Sequence, residues 1–313
     1  AFGRPERTLL GIQGLCNEIA KVYQAGLPDQ VFRQVTFRDF VRKDSLRDQQ
    51  EKFRKRGETE KEIIRLAGHI TGRTRFDKEG TAKFHPDAVY HPMNETMRSS
   101  FYEGEWKRQE CNAHSIFFGQ GDYPLKGLHF MLEAFALLLE TFPDAELCVA
   151  GNSITAHGSL KEKLKLSAYG KYLLKLIKKY GLSKKVHFLG KLTEEEMKQQ
   201  FLKSGVFVCA SVLENSPNTI GEAMLLGMPV VAAEVGCIPD MITDRKEGLL
   251  FPSGDVKSLA LAIEKVFTDL GDDGTPFVEA MTKAAKIRAG KTHDGAANYE
   301  RLLEIYEDMG EGQ

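Results

Sequence analysis

Residues 206–236 read VFVCASVLENSPNTIGEAMLLGMPVVAAEVG, and this stretch decides the fold. Residues 206–210 form an apolar run of strand length, and residues 230–233 form a second. Between them the pattern predicts a short helix. Ser216 is suited to cap it, with Pro217 at the first helical position, where a missing N–H costs nothing. Gly227 suits its end. A strand running into a free helix N-terminus presents open backbone N–H groups, and such a terminus can hold a phosphate. Two carboxylates flank it. Glu214 precedes the cap, and Glu222 lies inside the helix on the face of Asn218 and Thr219.

Outward from this unit the texture stays regular. Strand-like runs occur at 115–119, 146–150, 186–189 and 248–251, and helical patterns at 126–142, 161–180, 193–203, 239–242 and 255–270. The first of these helices carries apolar residues at 128, 131, 132, 135, 138, 139 and 142, a 3.6-residue stripe. Thr193 and Glu196 form a capping box for the third. Alternating strand and helix is the pattern of a doubly wound parallel sheet.

The region before residue 110 is sparser. Short strands are expected at 7–13, 69–71 and 88–91, with a helix at 16–23. Residues 38–62 are dense in charge, with apolar Phe40, Leu46 and Phe53, and predict one or two exposed helices. A solvated surface is the plain reading, and a basic helix at a membrane surface or facing an acceptor is the sharper one. Three strands are too few for a complete α/β domain. The chain starts at Ala1 and its first methionine is Met93, so a preceding segment is expected to be missing. The expected division is a partial first domain at 1–110, a complete second domain at 111–290, and a helix at 291–313 that packs back on the first.

Composition excludes several classes. Hydrophobic residues are 42% and charged ones 28%, with a formal net charge of −1, which gives no whole-chain electrostatic case for nucleic acid. The five cysteines are scattered and without a CxxC pair, as in a cytoplasmic protein with reduced thiols. The eight histidines are dispersed and form no metal set. No apolar run spans a membrane and no signal peptide opens the chain.

In an open parallel sheet, ligands bind beyond the carboxyl ends of the strands. Four loops qualify, at 119–126, 151–159, 190–192 and 211–216. The first, with GQGDYPLKG at 119–127, ends on Lys126 at a helix start, where an anion would relieve its repulsion by the positive helix end. Gly119 and Gly121 lack the third glycine of a dinucleotide site. Glu214 and Glu222 form an E-x7-E pair. Two such carboxylates could act as acid and base on a glycoside, or accept from sugar hydroxyls; Glu222 lies near the buried side and needs donors.

Residues 115–270 resemble the C-terminal domain of the group 1 glycosyltransferases (glycosyltransferase family 4), of GT-B fold. The likeness rests on Lys126-Gly127, FLG at 188–190, ENSPNTIGEAMLLGMPVV from 214 and EGLLFPSGD at 247–255. Residues 8–105 resemble less sharply the second half of the family's N-terminal acceptor domain. The resemblance implies an α/β fold of two Rossmann-like domains. It also implies retaining transfer of a sugar from a nucleotide diphosphate donor to a sugar or lipid-linked acceptor, by a cytoplasmic enzyme with peripheral membrane contact and without a metal or other cofactor. Glu214 would touch the donor sugar, and Glu222 the ribose. Lys126 and the N–H groups of Ser216, Asn218 and Thr219 would hold the diphosphate, with Asn215 and Pro217 in the same loop. Gly119, Gln120 and Gly121 would border the donor on one side, and Gly190, Lys191 and Leu192 would border the base. Two departures stand out: Gln120 replaces a common arginine, and Gln13 a common histidine. A nucleotide-sugar epimerase of GT-B fold, or a module that binds donor without turnover, would carry the same donor features.

Overall fold

The computed structural model describes residues 3–272 and 274–311. They form two parallel sheets. The first contains β1 (Leu9–Gly11), β2 (His69–Gly72) and β3 (Val89–Pro92), in that order. The second contains β4 (Asn112–Phe118), β5 (Glu146–Ala150), β6 (Val186–Gly190), β7 (Ser204–Cys209), β8 (Val230–Ala233) and β9 (Leu249–Phe251). Its order is β6-β5-β4-β7-β8-β9, the doubly wound order expected from the alternation in sequence.

The larger sheet is sealed because its central strands are apolar along most of their length, at 116–118 in β4 and 206–209 in β7. All residues of β7 and β8 are buried, as parallel strands covered on both faces require. The helices Leu128–Thr141, Ala168–Lys179 and Val256–Thr268 pack together over it, and Asn218–Leu225 packs on Val278–Thr292. In the smaller sheet, Ile12, Leu15, Ile64, Ala67 and Ile70 make a separate core. The Leu46–Leu66 helix crosses Cys16–Val22 closely at Gly57. Asn17 Nδ2 donates to Gly57 O at 2.9 Å, and a Cβ there would lie 2.3 Å from Asn17 Oδ1.

Chain segments tie the two sheets together. Trp106 is buried, its Nε1 donating to Ser204 O and its backbone N to Leu226 O, both at 2.8 Å. Arg108 donates to the last carbonyls of the Val256–Thr268 helix, Val266 O and Phe267 O. The final helix, Gly295–Glu311, buries Ile305 and reaches the end of β3 through Arg301 to Pro92 O and the segment after it through Asn298 to Thr96. No helix of the described residues is long and apolar enough to cross a membrane.

Three local expectations are corrected. The pattern at 161–180 is two helices, Leu160–Leu164 and Ala168–Lys179, because Ser167 caps the second by accepting from Gly170 N at 3.1 Å. Lys126 does not begin a helix. It ends a 3₁₀ turn, Pro124–Lys126, and Gly127 follows at φ 74° before the helix starts at Leu128. Ser216 does not cap the decisive helix. That helix runs Asn218–Leu225, and Pro217, at ψ 109°, takes the cap position, which has no side-chain cap bond.

Candidate functional site

β4 and β7 are neighbours from which the chain winds outward in opposite directions, so the loops at their carboxyl ends part and leave a crevice. A cavity of about 460 Å³ lies there, within the usual range for small-molecule sites. Four strands contribute: Gly119 and Gln120 follow β4, Asn152 follows β5, Lys191 and Leu192 follow β6, and Glu214, Pro217, Asn218 and Thr219 follow β7. Nine of the expected residues, with Lys126 included, therefore share one cavity wall.

The uncapped helix start is one element of the site. Pro217 has no N–H, and among the described residues the N–H groups of Ser216, Asn218 and Thr219 have no protein acceptor. Lys126 is the second. Its Nζ lies 2.6 Å from Glu214 Oε1, which also accepts from Ser211 Oγ at 2.5 Å. The sequence placed these two residues in separate loops; the structure makes them one ion pair. Burial works against the lysine's charge, but Glu214, with Tyr123 and Cys209 near it, prevails and holds the ammonium above the ordinary lysine range. Glu214 Oε2 makes no hydrogen bond to the described residues and remains able to accept.

Five expected residues lie off the cavity wall. The Gly121 N–H is spent on Ala150 O, and Gly190 O accepts from Gly151 N. Ser216 lines a smaller cavity, about 160 Å³, with Arg73, Asp240 and His293. Asn215 is half-buried, and its amide Oδ1 and Nδ2 are enclosed without a hydrogen-bond partner among the described residues. Glu222 is 2% exposed, and its donors come from Arg98, through Nε at 2.7 Å and Nη2 at 2.8 Å. Burial raises the Glu222 pKa, and the Arg98 bonds and charge offset only part of the rise.

Two arginines were missed in the sequence. Arg98 stands before the Ser99–Tyr102 turn, far along the chain from its partner, and nothing local distinguishes it from a surface residue. Arg73 follows β2 and meets the decisive helix at its first residue. Its Nη1 lies 3.2 Å from Asn218 Oδ1 and also bonds Glu95, while Nη2 bonds Gln13 Oε1 at 2.8 Å. The Gln120 departure was the available signal, since it implied a cation either missing or supplied from elsewhere. Among the described residues, no group of three or more His, Cys, Asp or Glu is placed to hold a metal ion.

Comparison with known proteins bears on the family and the fold. Residues 107–288 match the family model described as glycosyl transferases group 1. The chain is similar to a phosphatidyl-myo-inositol mannosyltransferase of Mycobacterium leprae, at 25% identity over 196 residues, covering 62% of this chain and 46% of the relative. It spans less than half the length of this and similar curated relatives. Among solved structures it resembles a sucrose-phosphate synthase from Thermosynechococcus elongatus, with TM-score 0.66 and 17% identity over 98% of this chain and 69% of that one. It also resembles Anabaena HepE in complex with UDP, with TM-score 0.64 and 19% identity over 79% and 68%. The fold is thus α/β of GT-B type, with Rossmann-like sheets.

Proposed function

The chain belongs to the group 1 glycosyl transferases, and we propose on that premise that it transfers a sugar from a nucleoside diphosphate donor to an acceptor with retention at the anomeric carbon, as a member of glycosyltransferase family 4. The observation that carries the reading is the pairing of an uncapped helix start with the Lys126–Glu214 ion pair in one cavity. The free N–H groups of Asn218 and Thr219 receive phosphate oxygens. The Lys126 ammonium has three donors, of which one is held by Glu214 and the others are available to the diphosphate. As the bond to the sugar breaks, negative charge grows on the leaving diphosphate, and these fixed donors stabilise it without reorganising. Glu214 Oε2 accepts from a sugar hydroxyl. Arg73 takes the place of the cation that Gln120 does not supply.

Lys191 and Leu192 flank the nucleoside end, and HepE, solved with UDP, supports a uridine nucleotide. Glu222 meets the ribose once Arg98 shares its carboxylate. Each of these steps is served by side chains and backbone of the protein, so no metal is assigned a role. Titration of the chain with UDP, GDP and ADP should give measurable affinity for UDP that Lys126→Ala weakens at least tenfold. Turnover of the UDP-sugar with an acceptor, followed by NMR of the product anomer, tests transfer and retention. An inverted product removes the retaining assignment; a free sugar isomer with no transfer product makes the chain an epimerase; equal affinities that ignore Lys126→Ala remove the donor site.

A further inference from the structure

Of the enclosed polar side-chain atoms that lack a hydrogen-bond partner among the described residues, three belong to one pair of residues: Asp77 Oδ1, and Asn215 Oδ1 and Nδ2. Asp77 lies on the Arg75–Ala82 helix, which follows β2 of the smaller sheet, and it is 0% exposed. One of its oxygens is engaged locally. Oδ2 accepts from Arg73 N at 3.0 Å and from Thr74 Oγ1 at 3.1 Å, and so closes the start of its own helix. Gly72 makes room for the side chain, since a Cβ there would lie 2.8 Å from Asp77 Cβ. Oδ1 is left enclosed and unbonded, and a buried polar group in that state calls for a partner.

The Asn215 amide is that partner, because it acts directly on the carboxyl. Burial raises the Asp77 pKa, and Arg73 N, the Thr74 hydroxyl, the Asn215 amide and the Arg73 charge lower it only in part. Asn215 stands between Glu214 and Ser216 in the loop after β7. That loop is clamped on one side by backbone. Cys237 N donates to Glu214 O at 3.2 Å, and a Cβ on Gly236 would lie 2.0 Å from the same oxygen. From the smaller sheet it is met by Arg73, at Asn218 Oδ1 (3.2 Å), and by Asp77 at Asn215. Both contacts trace to Asp77, since its Oδ2 also fixes the backbone of Arg73.

We propose that Asp77 is a positioning residue of the donor site, which pairs its Oδ1 with the Asn215 amide and thereby fixes the 214–218 loop. The inference rests on the donor-site reading and adds to it a residue that lines no part of the donor cavity. Its role is to keep Glu214 and the free N–H groups of Asn218 and Thr219 at the spacing a diphosphate needs, where small displacements weaken binding steeply. The pairing depends on hydrogen-bonding shape rather than on charge. An amide at position 77 would accept from Arg73 N and Thr74 through its oxygen and donate to Asn215 Oδ1 through its nitrogen.

The test is titration calorimetry of the full chain with UDP, GDP and ADP, and then of its variants with whichever of the three binds most tightly. Asp77→Ala and Asn215→Ala should each weaken that binding about tenfold, and the double variant should bind as Asp77→Ala does, because one contact is removed in all three. Asp77→Asn should stay within about twofold of the parent. Asn215→Ala carries the test by itself if Asp77→Ala fails to fold, since it leaves the start of the Arg75–Ala82 helix intact. The role is overturned by Asn215→Ala binding as tightly as the parent, by losses that multiply in the double variant, or by Asp77→Asn binding as weakly as Asp77→Ala. A parent that binds none of the three nucleotides overturns the donor reading and the role together, whereas a parent whose affinity ignores Asn215→Ala overturns the role alone.

Discussion

β7 and β3 are both short parallel strands, yet every residue of β7 is buried and only one of the four in β3 is. β7 lies inside its sheet between β4 and β8, whereas β3 is an edge. The same contrast extends to function. The cavity proposed to take the donor is lined, among the described residues, by residues between 118 and 219, all from the larger sheet's part of the chain. The smaller sheet reaches the site from the side, through Arg73 at Asn218 and Arg75 N at Asp240. A rigid, fully covered sheet is suited to holding a donor in fixed geometry, since its loops spring from strands that cannot shift.

The largest expected effect tests that division of labour. Lys126→Ala should lower kcat/KM for the donor by about 10²–10³, as removal of a preorganised charge-stabilising donor does, because it leaves the growing diphosphate charge with the helix start and Arg73. Arg73→Gln, on the opposite wall, should cost about tenfold. Steady-state kinetics with a UDP-sugar decide this, and an Arg73 effect equal to that of Lys126 would break the comparison.

Next comes the contact that crosses between the two regions at Glu222. Removing Arg98 leaves a carboxylate buried at 2% exposure without its partner, and breaking such a pair costs about 3–5 kcal/mol. Arg98→Met should therefore destabilise by about 3 kcal/mol at neutral pH. The pH dependence has a definite sign. With the folded-state pKa of Glu222 raised further, the unfolded state ionises first, so the deficit grows as pH rises and shrinks toward acid. Urea unfolding at pH 5 and pH 8 should show the larger deficit at pH 8, and an equal deficit at both would count against an uncompensated carboxylate.

The seam has a second titrating contact, in the opposite direction. His129 is buried on the Leu128–Thr141 helix, its Nε2 meeting Ala25 O at 2.8 Å and its Nδ1 the Tyr169 hydroxyl at 3.2 Å. Burial lowers its pKa to about 4, against the small raising effect of the Ala25 carbonyl bond. The unfolded chain thus takes up the proton first as pH falls below 6.5. Stability should drop by about 2 kcal/mol by pH 5, and His129→Gln should flatten that slope in pH-dependent unfolding. A slope unchanged by the substitution would place the acid sensitivity elsewhere.

Much of the larger sheet was legible because its signals are local. The apolar run at 230–233 is β8 to the residue, and Thr193 with Glu196 forms the expected capping box. What failed was also local, and had competing signals. Ser216 looked like a cap, but the extended ψ of Pro217 moved the helix start one residue on. Ser167 interrupted a helix whose apolar period ran through it. At the site, Glu214, Lys126 and the helix start could be named from spacing and resemblance, whereas the Lys126–Glu214 and Arg98–Glu222 pairs could not. Those depend on how separate strands align and on which way a side chain points, and no spacing rule encodes either. The Phe37–Arg42 helix was expected to be exposed, but its charge density hid that apolar Phe37, Phe40 and Val41 are exposed beside Arg42.

The smallest effect sharpens the contrast between the two cores. Ile70 in β2 and Ile116 in β4 are both essentially unexposed, so removing one methyl group loses the same transfer free energy at each. The difference lies in what surrounds the vacancy. Ile116 sits in a continuous core with Phe117, Phe135 and Phe207 around the same sheet, where neighbours are locked by contacts on all sides. Ile70 belongs to a cluster of five fully buried residues beside an edge, where half-buried Leu10, Phe84 and Tyr90 have room to close in. Ile→Val costs about 0.5–1.5 kcal/mol, depending on how far the site collapses. Ile116→Val should fall near the top of that range and Ile70→Val near the bottom, as read from paired urea unfolding curves. Equal costs would mean that the smaller core is as tightly held as the larger one.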